Sequence, residues 1–184
     1  MVIIFIDMLL HKTEVYRHLL FNRVWIFKNS IYKLCALLLL FDVYIKWFQI
    51  EKHGVNVQVQ RPEDFILRYS SLFVLCLFEF LAFHLGVRLL TRSKKEAGKL
   101  SVGLIISSFG KLLHILMVIW EYNDLEYSWL VNTIVYTSNA EVISIFFDQK
   151  YWKAYLVLSF GLFCKFLVQY ASTFFDSTIP LLFF

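Results

Sequence analysis

The sequence predicts an all-α fold: a polytopic transmembrane helical bundle with five spans, or four plus a re-entrant segment, preceded by an N-terminal interfacial helix. The first reason is composition. The chain is 59% hydrophobic and 17% charged, against about 45 to 50% and about 25% in soluble domains. Its 20 Phe, 10 Tyr and 5 Trp add more apolar surface than one water-soluble core of 184 residues would hide. The second reason is that the apolar residues gather in windows near the roughly 20 residues a helix needs to cross hydrocarbon. The third is that the basic residues between those windows alternate in density, as orientation in a bilayer requires.

Residues 1–28 are expected to form the collar, 29–174 the transmembrane domain and 175–184 a short tail. In HKTEVYRHLLFNR, drawn as a helix, Val15, Tyr16, Leu19, Leu20 and Val24 share a broad apolar face, with Glu14, Arg17, His18 and Asn22 mostly opposite. Arg23 intrudes on the oily side and Phe21 and Trp25 on the polar one, which an interfacial helix tolerates because Arg snorkels and Trp favours the head-group zone. His11, Tyr16, Arg17, His18, Asn22 and Arg23 are the candidate interface residues. A solvated linker and a specific head-group site stay open as alternatives. His11 and His18 have no third ligand at metal spacing, so no metal is expected there.

The windows follow in order: Ile31–Ile50, Tyr69–Leu90, Ser101–Trp120, Ser128–Phe147 and Ala154–Phe174. In the first, Asp42 and Lys46 are four apart and are expected to neutralise each other in part. In the third, Gly103, Ser107 and Gly110 place small residues on one face, where another backbone approaches closely. The fourth carries Asn132, Asn139 and Glu141, which leaves a full crossing and a re-entrant segment both open. VNVQVQ has a strand-like alternation too short to define an element.

Between Lys12 and Lys33 lie five Lys or Arg, then two in EKHGVNVQVQRPED, five from Arg88 to Lys99, none in EYNDLEY, two in DQKYWK and none after Gln169. This alternation favours five crossings with a cytoplasmic collar and a lumenal C-terminus. The net charge of +4 is spread along the span edges and forms no basic domain. Membrane lipids are therefore the expected partners and nucleic acid is not. Cys35, Cys76 and Cys164 sit in apolar runs without CxxC spacing and read as small buried hydrophobes. The opening MVIIFIDMLL contains Asp7 and lacks the basic start and cleavage site of a secretory signal.

Glu79, Lys111, His114, Asn139, Glu141 and Lys165 are the candidate intramembrane polar residues, since each must face a partner, a cavity or the bundle interior. Lys111 and His114 lie one turn apart, close to the depth Glu79 would occupy in an antiparallel neighbour, so the geometry allows a Glu79–Lys111 pair that the sequence by itself does not establish. Helix registration, a polar pocket for an amphipathic lipid, and acyl transfer or hydrolysis all remain open for this set. No nucleophile elbow, phosphate loop or zinc hydrolase pattern occurs. Ser107 and Ser108 near His114 read as a packing surface, and no catalytic, cofactor-binding or metal residue is assigned.

Three strings, IIFIDMLLHKTEVYRHLLFNR at 3–23, SSFGKLLHILMVIWEYN at 107–123 and VYTSNAEVI at 135–143, resemble the ARV1 family of endoplasmic-reticulum membrane proteins, in the family's order. The resemblance covers the family's transmembrane body. Its N-terminal zinc ribbon of paired CxxC motifs has no counterpart cysteines here, so no zinc and no other cofactor is carried over. What the resemblance implies is a multi-pass protein of the endoplasmic reticulum membrane that mediates sterol uptake, trafficking and distribution and regulates sphingolipid metabolism, with sterols and sphingolipids as partners. It implies no enzyme activity. Two alternatives stand beside this: a non-transporting scaffold for lipid-handling or glycosylphosphatidylinositol-anchor assembly proteins of that membrane, and a membrane-embedded lipid-modifying enzyme.

Overall fold

The structure is a computed structural model that describes residues 2–23, 28–52, 62–91, 97–119, 125–148 and 150–175. Every element among these residues is helical. That follows from a backbone that must satisfy its own N–H and C=O groups where no water reaches it. The elements are α1 (Val2–Leu9), α2 (Thr13–His18), a π-helical turn (Leu19–Arg23), α3 (Lys28–Lys52), α4 (Pro62–Thr91), α5 (Ala97–Ser107), a 3-10 segment (Ser108–Leu113), α6 (His114–Ile119), α7 (Leu125–Phe147) and α8 (Tyr151–Phe175). The VNVQVQ run, Val24, Trp25, the 175–184 tail beyond Phe175 and most of EYNDLEY lie outside the described residues.

Four segments are long and apolar enough to cross a membrane: Ile66–Thr91, Gly98–Leu116, Tyr127–Phe147 and Tyr151–Thr173. They fall on the second to fifth windows. The first window also forms a helix, α3, whose 25 residues reach about 38 Å at 1.5 Å per residue. It has the length of a span but carries Lys33, Asp42 and Lys46 within its apolar run.

The helices sort into two packed groups. In one, α4 lies against α8 and α3; in the other, α7 lies against α5 and the 3-10 segment, and α8 closes on α7 as well. The α4–α8 contact is close because two glycines face it. A Cβ on Gly86 would stand 3.1 Å from the Gly161 Cα, and one on Gly161 would stand 2.8 Å from Val87 Cγ2. The small-residue face of the third window behaves as its composition predicts: Gly103 meets Leu20 and Val142, Gly110 meets Val135, and Ser107 bonds to Asn139. Away from these contacts, Val74, Phe78, Leu81, Leu85 and Leu89 on α4, and Leu156, Phe160, Phe163 and Leu167 on α8, stay exposed. Spaced three and four apart, they give each helix an apolar outer stripe suited to lipid.

The collar departs from a single helix lying on lipid. It is divided at His11, whose φ of 55° is left-handed, and its apolar face packs inward. Tyr16, Leu19 and Leu20 are buried in one core with Met8, Leu100, Leu104 and Val142. Tyr16 donates to the Met8 carbonyl at 2.8 Å, and burial, before any other cause, raises its phenol above the ordinary value. The predicted polar face is present, with Glu14, Arg17, His18 and Asn22 exposed. The bundle core takes the oily side because α5 presents Gly103 there.

Candidate functional site: a charged cavity inside the bundle

A cavity of about 340 Å³ lies between α3, α4, the 3-10 segment, α7 and α8. It runs from Trp129, near one end of α7, to Asn139 near its middle. Charged side chains converge at its inner end. Lys46 from α3 donates to Glu79 Oε1 on α4, and both side chains are 4% exposed. Lys111 from the 3-10 segment donates to Asp42 Oδ2 on α3 at 2.6 Å. Lys165 from α8 stands 3.7 Å from Glu79 Oε2.

The contacts differ from the pairing the sequence left open. Glu79 meets Lys46 and Lys165, not Lys111, and Asp42 makes its direct contact with Lys111, while Lys46, four residues on, still adds to its charge compensation. Consecutive windows were expected to be antiparallel neighbours, but α4 packs on α3 and α8, while the 3-10 segment packs on α3 and α7. α3 is therefore wedged between the two. It sends Lys46 to the α4 side and Asp42 to the 3-10 side, so each carboxylate finds a cation on a different element.

The other candidates divide. Asn139 accepts from Ser107, tying α7 to α5. Glu141 is buried and accepts from the Tyr151 hydroxyl at 3.2 Å, away from the cavity. His114 is buried with its Nδ1 donating to the Lys111 carbonyl at 3.0 Å. The Ser108 hydroxyl donates to the Leu104 carbonyl at 2.8 Å, so Ser107, Ser108 and His114 are each engaged as packing groups. In the collar, His11 sets Nδ1 at 2.9 Å from the Leu9 carbonyl and Nε2 at 2.7 Å from the Thr137 hydroxyl, hooking the turn to α7. Arg17, His18 and Asn22 line a surface groove with Glu14 and Asp148, and Asn22 meets His18 Nδ1 at 3.1 Å. The Arg23 side chain lies outside the described residues. Among the described residues no cluster of His, Cys, Asp or Glu has the form of a metal site.

Two titratable groups of the cavity wall, Asp42 and His84, were missed as site residues. Asp42 was read only as Lys46's helical neighbour, and Lys46 itself, behind Glu79, lies outside the cavity lining. His84 was passed over inside an apolar run; a histidine in mid-span, four residues after Phe80, is the signal that marks it. Its ring is held by Phe80 and Phe83 at centroid distances of 4.1 and 5.5 Å. Its Nδ1 donates to the Phe80 carbonyl at 2.9 Å.

Membrane-crossing helices around a polar interior define a multi-pass helical membrane protein. Comparison with known proteins narrows this: the Arv1-like family model matches residues 1–145, and the chain belongs to that family. It is 32% identical to the arv1 homolog of Dictyostelium discoideum, over 98% of this chain and 80% of that protein. It is 31% identical to arv1 of Schizosaccharomyces pombe, over 92% of the chain and 68% of the relative. With human ARV1 it shares 32% identity over 92% of the chain, which spans 65% of that relative's length. No solved structure matches the chain.

Proposed function

We propose that the chain is a mediator of sterol homeostasis in the endoplasmic reticulum membrane. In this reading it takes part in sterol uptake, trafficking and distribution, regulates sphingolipid metabolism, and acts by engaging lipid and not by chemical conversion. Family membership supports the pathway. The observation that carries the elementary step is the cavity, which joins apolar walls to fixed charges within the span depth and has exposed Trp129 and Leu162 on its rim. Such a combination holds an amphipathic molecule by its polar end while the rest stays in hydrocarbon. The engagement of Ser107, Ser108 and His114 with structural partners supports the non-enzymatic reading.

The test is reconstitution of the purified chain in vesicles beside one of its longer relatives. Both the redistribution of a fluorescent sterol or sphingolipid analogue and the mass of the lipid products are read. The chain alone is expected to redistribute lipid without altering its mass. Activity confined to the longer form would refute an autonomous lipid-handling body, a changed mass would establish an enzyme, and recovery of membrane proteins without redistribution would establish a scaffold. A tagged chain is expected in the endoplasmic reticulum by microscopy.

A further inference from the structure

We propose that the cavity binds the head group of a singly charged anionic lipid that also bears a hydroxyl, with Lys165 facing the anion and His84 Nε2 accepting from the hydroxyl. This rests on the lipid-handling reading and narrows it to the chemistry of the directly bound ligand.

The charge balance supplies the anion. Three lysines, Lys46, Lys111 and Lys165, meet two carboxylates, Asp42 and Glu79. Asp42 is taken by Lys111 in direct contact, and Glu79 by Lys46. Lys165 reaches Glu79 only at 3.7 Å, and its side chain is 30% exposed where those of Lys46 and Glu79 are 4%. The cluster therefore holds one cation in excess on the cavity side. An uncompensated charge at this depth is costly, and a bound monoanion removes that cost.

The histidine supplies the hydroxyl. His84 lines the same cavity and is 8% exposed. Because Nδ1 faces a carbonyl it must carry the proton, which leaves Nε2 as a bare acceptor. Nε2 is buried and has no hydrogen-bond partner among the described residues. A buried acceptor without a donor is a standing penalty, and a ligand O–H removes it. The two demands select together. A neutral sterol answers His84 and leaves Lys165, an anion without a hydroxyl does the reverse, and a choline head group brings its own cation beside the lysines. A volume of about 340 Å³ is near the lower end of ligand cavities. It suits a head group whose chains lie along the exposed apolar rim.

The full chain, purified in a non-ionic detergent, is offered phosphatidylglycerol, phosphatidylmethanol, phosphatidylcholine and cholesterol in competition, and retained lipid is read by native mass spectrometry. Phosphatidylglycerol is expected to lead, with phosphatidylmethanol, which lacks the hydroxyl, second. Lys165→Met should lower phosphatidylglycerol retention about tenfold without lowering thermal stability, since Glu79 keeps Lys46, and Lys165→Arg should retain it. His84→Phe should bring the two anionic lipids level. A phosphatidylglycerol preference that survives Lys165→Met belongs to surface bases and overturns the assignment. Retention of cholesterol instead overturns it while leaving lipid handling intact, and a folded chain that retains no lipid overturns both.

Discussion

The third and fourth windows look alike in length, but their order is the reverse of what composition suggests. Ser101–Trp120 is the more apolar, yet its helix is interrupted by the 3-10 segment Ser108–Leu113; α7 carries two asparagines and two glutamates and runs unbroken from Leu125 to Phe147. Polarity alone does not break a membrane helix when each polar group has a partner, as Asn139 has in Ser107 and Glu141 in Tyr151. The third segment tightens where Lys111 must reach Asp42, and tightening disturbs the carbonyl ladder. Side chains cover the loss: Ser107 and Ser108 donate to the Leu104 carbonyl, His114 to Lys111, and Tyr127 to Leu113. The contrast places the break in the helix at the half-buried Lys111–Asp42 pair and not where most polar residues stand.

The largest expected effect is all-or-none. If unbroken α7 and α8 both cross fully, glycosylation acceptors inserted after residue 121 and after residue 175 lie on the same side and are modified together or not at all. Modification of one alone would mean that α7 re-enters. Next is Glu79→Gln, which strands Lys46 in the core and should cost about 3 to 5 kcal/mol in detergent unfolding. Adding Lys46→Met should recover most of it. The same cycle with Lys111→Met should show a much smaller coupling, because Lys111 keeps Asp42.

Sequence patterning carried the helical class, the windows and the small-residue face, because apolar runs and glycine spacing are local properties. Charge partners were not legible. Asp42 and Lys46 looked like a self-contained pair because helical spacing is visible in one dimension, whereas the wedging of α3 between α4 and the 3-10 segment is not. The inward docking of the collar was hidden for a similar reason. Lipid and a neighbouring helix reward the same apolar face, and only the cleft at Gly103 decides between them. His84 was invisible as a site because its bare Nε2 depends on a carbonyl one turn back, Phe80, and on what fails to approach from other helices.

Smaller effects sharpen the contrast. Asn139→Leu leaves Ser107 without its cross-helix acceptor and should cost about 1 to 3 kcal/mol, with the loss reduced when Ser107→Ala is added. Gly110→Ala in the 3-10 segment places a Cβ 3.1 Å from Val135 Cγ2. Overpacking there is offset by the backbone entropy that alanine removes, so thermal stability should move by about 1 kcal/mol or less.

The central claim is that the inner charges pair across α3, Asp42 with Lys111 and Glu79 with Lys46. Charge exchange tests it most directly, read as the midpoint of thermal unfolding of purified protein. Asp42→Lys and Lys111→Asp should each lower the midpoint sharply and together restore most of it, while Glu79→Lys with Lys111→Glu should restore little. Rescue by the Glu79 and Lys111 exchange, with none from Asp42 and Lys111, would contradict the account.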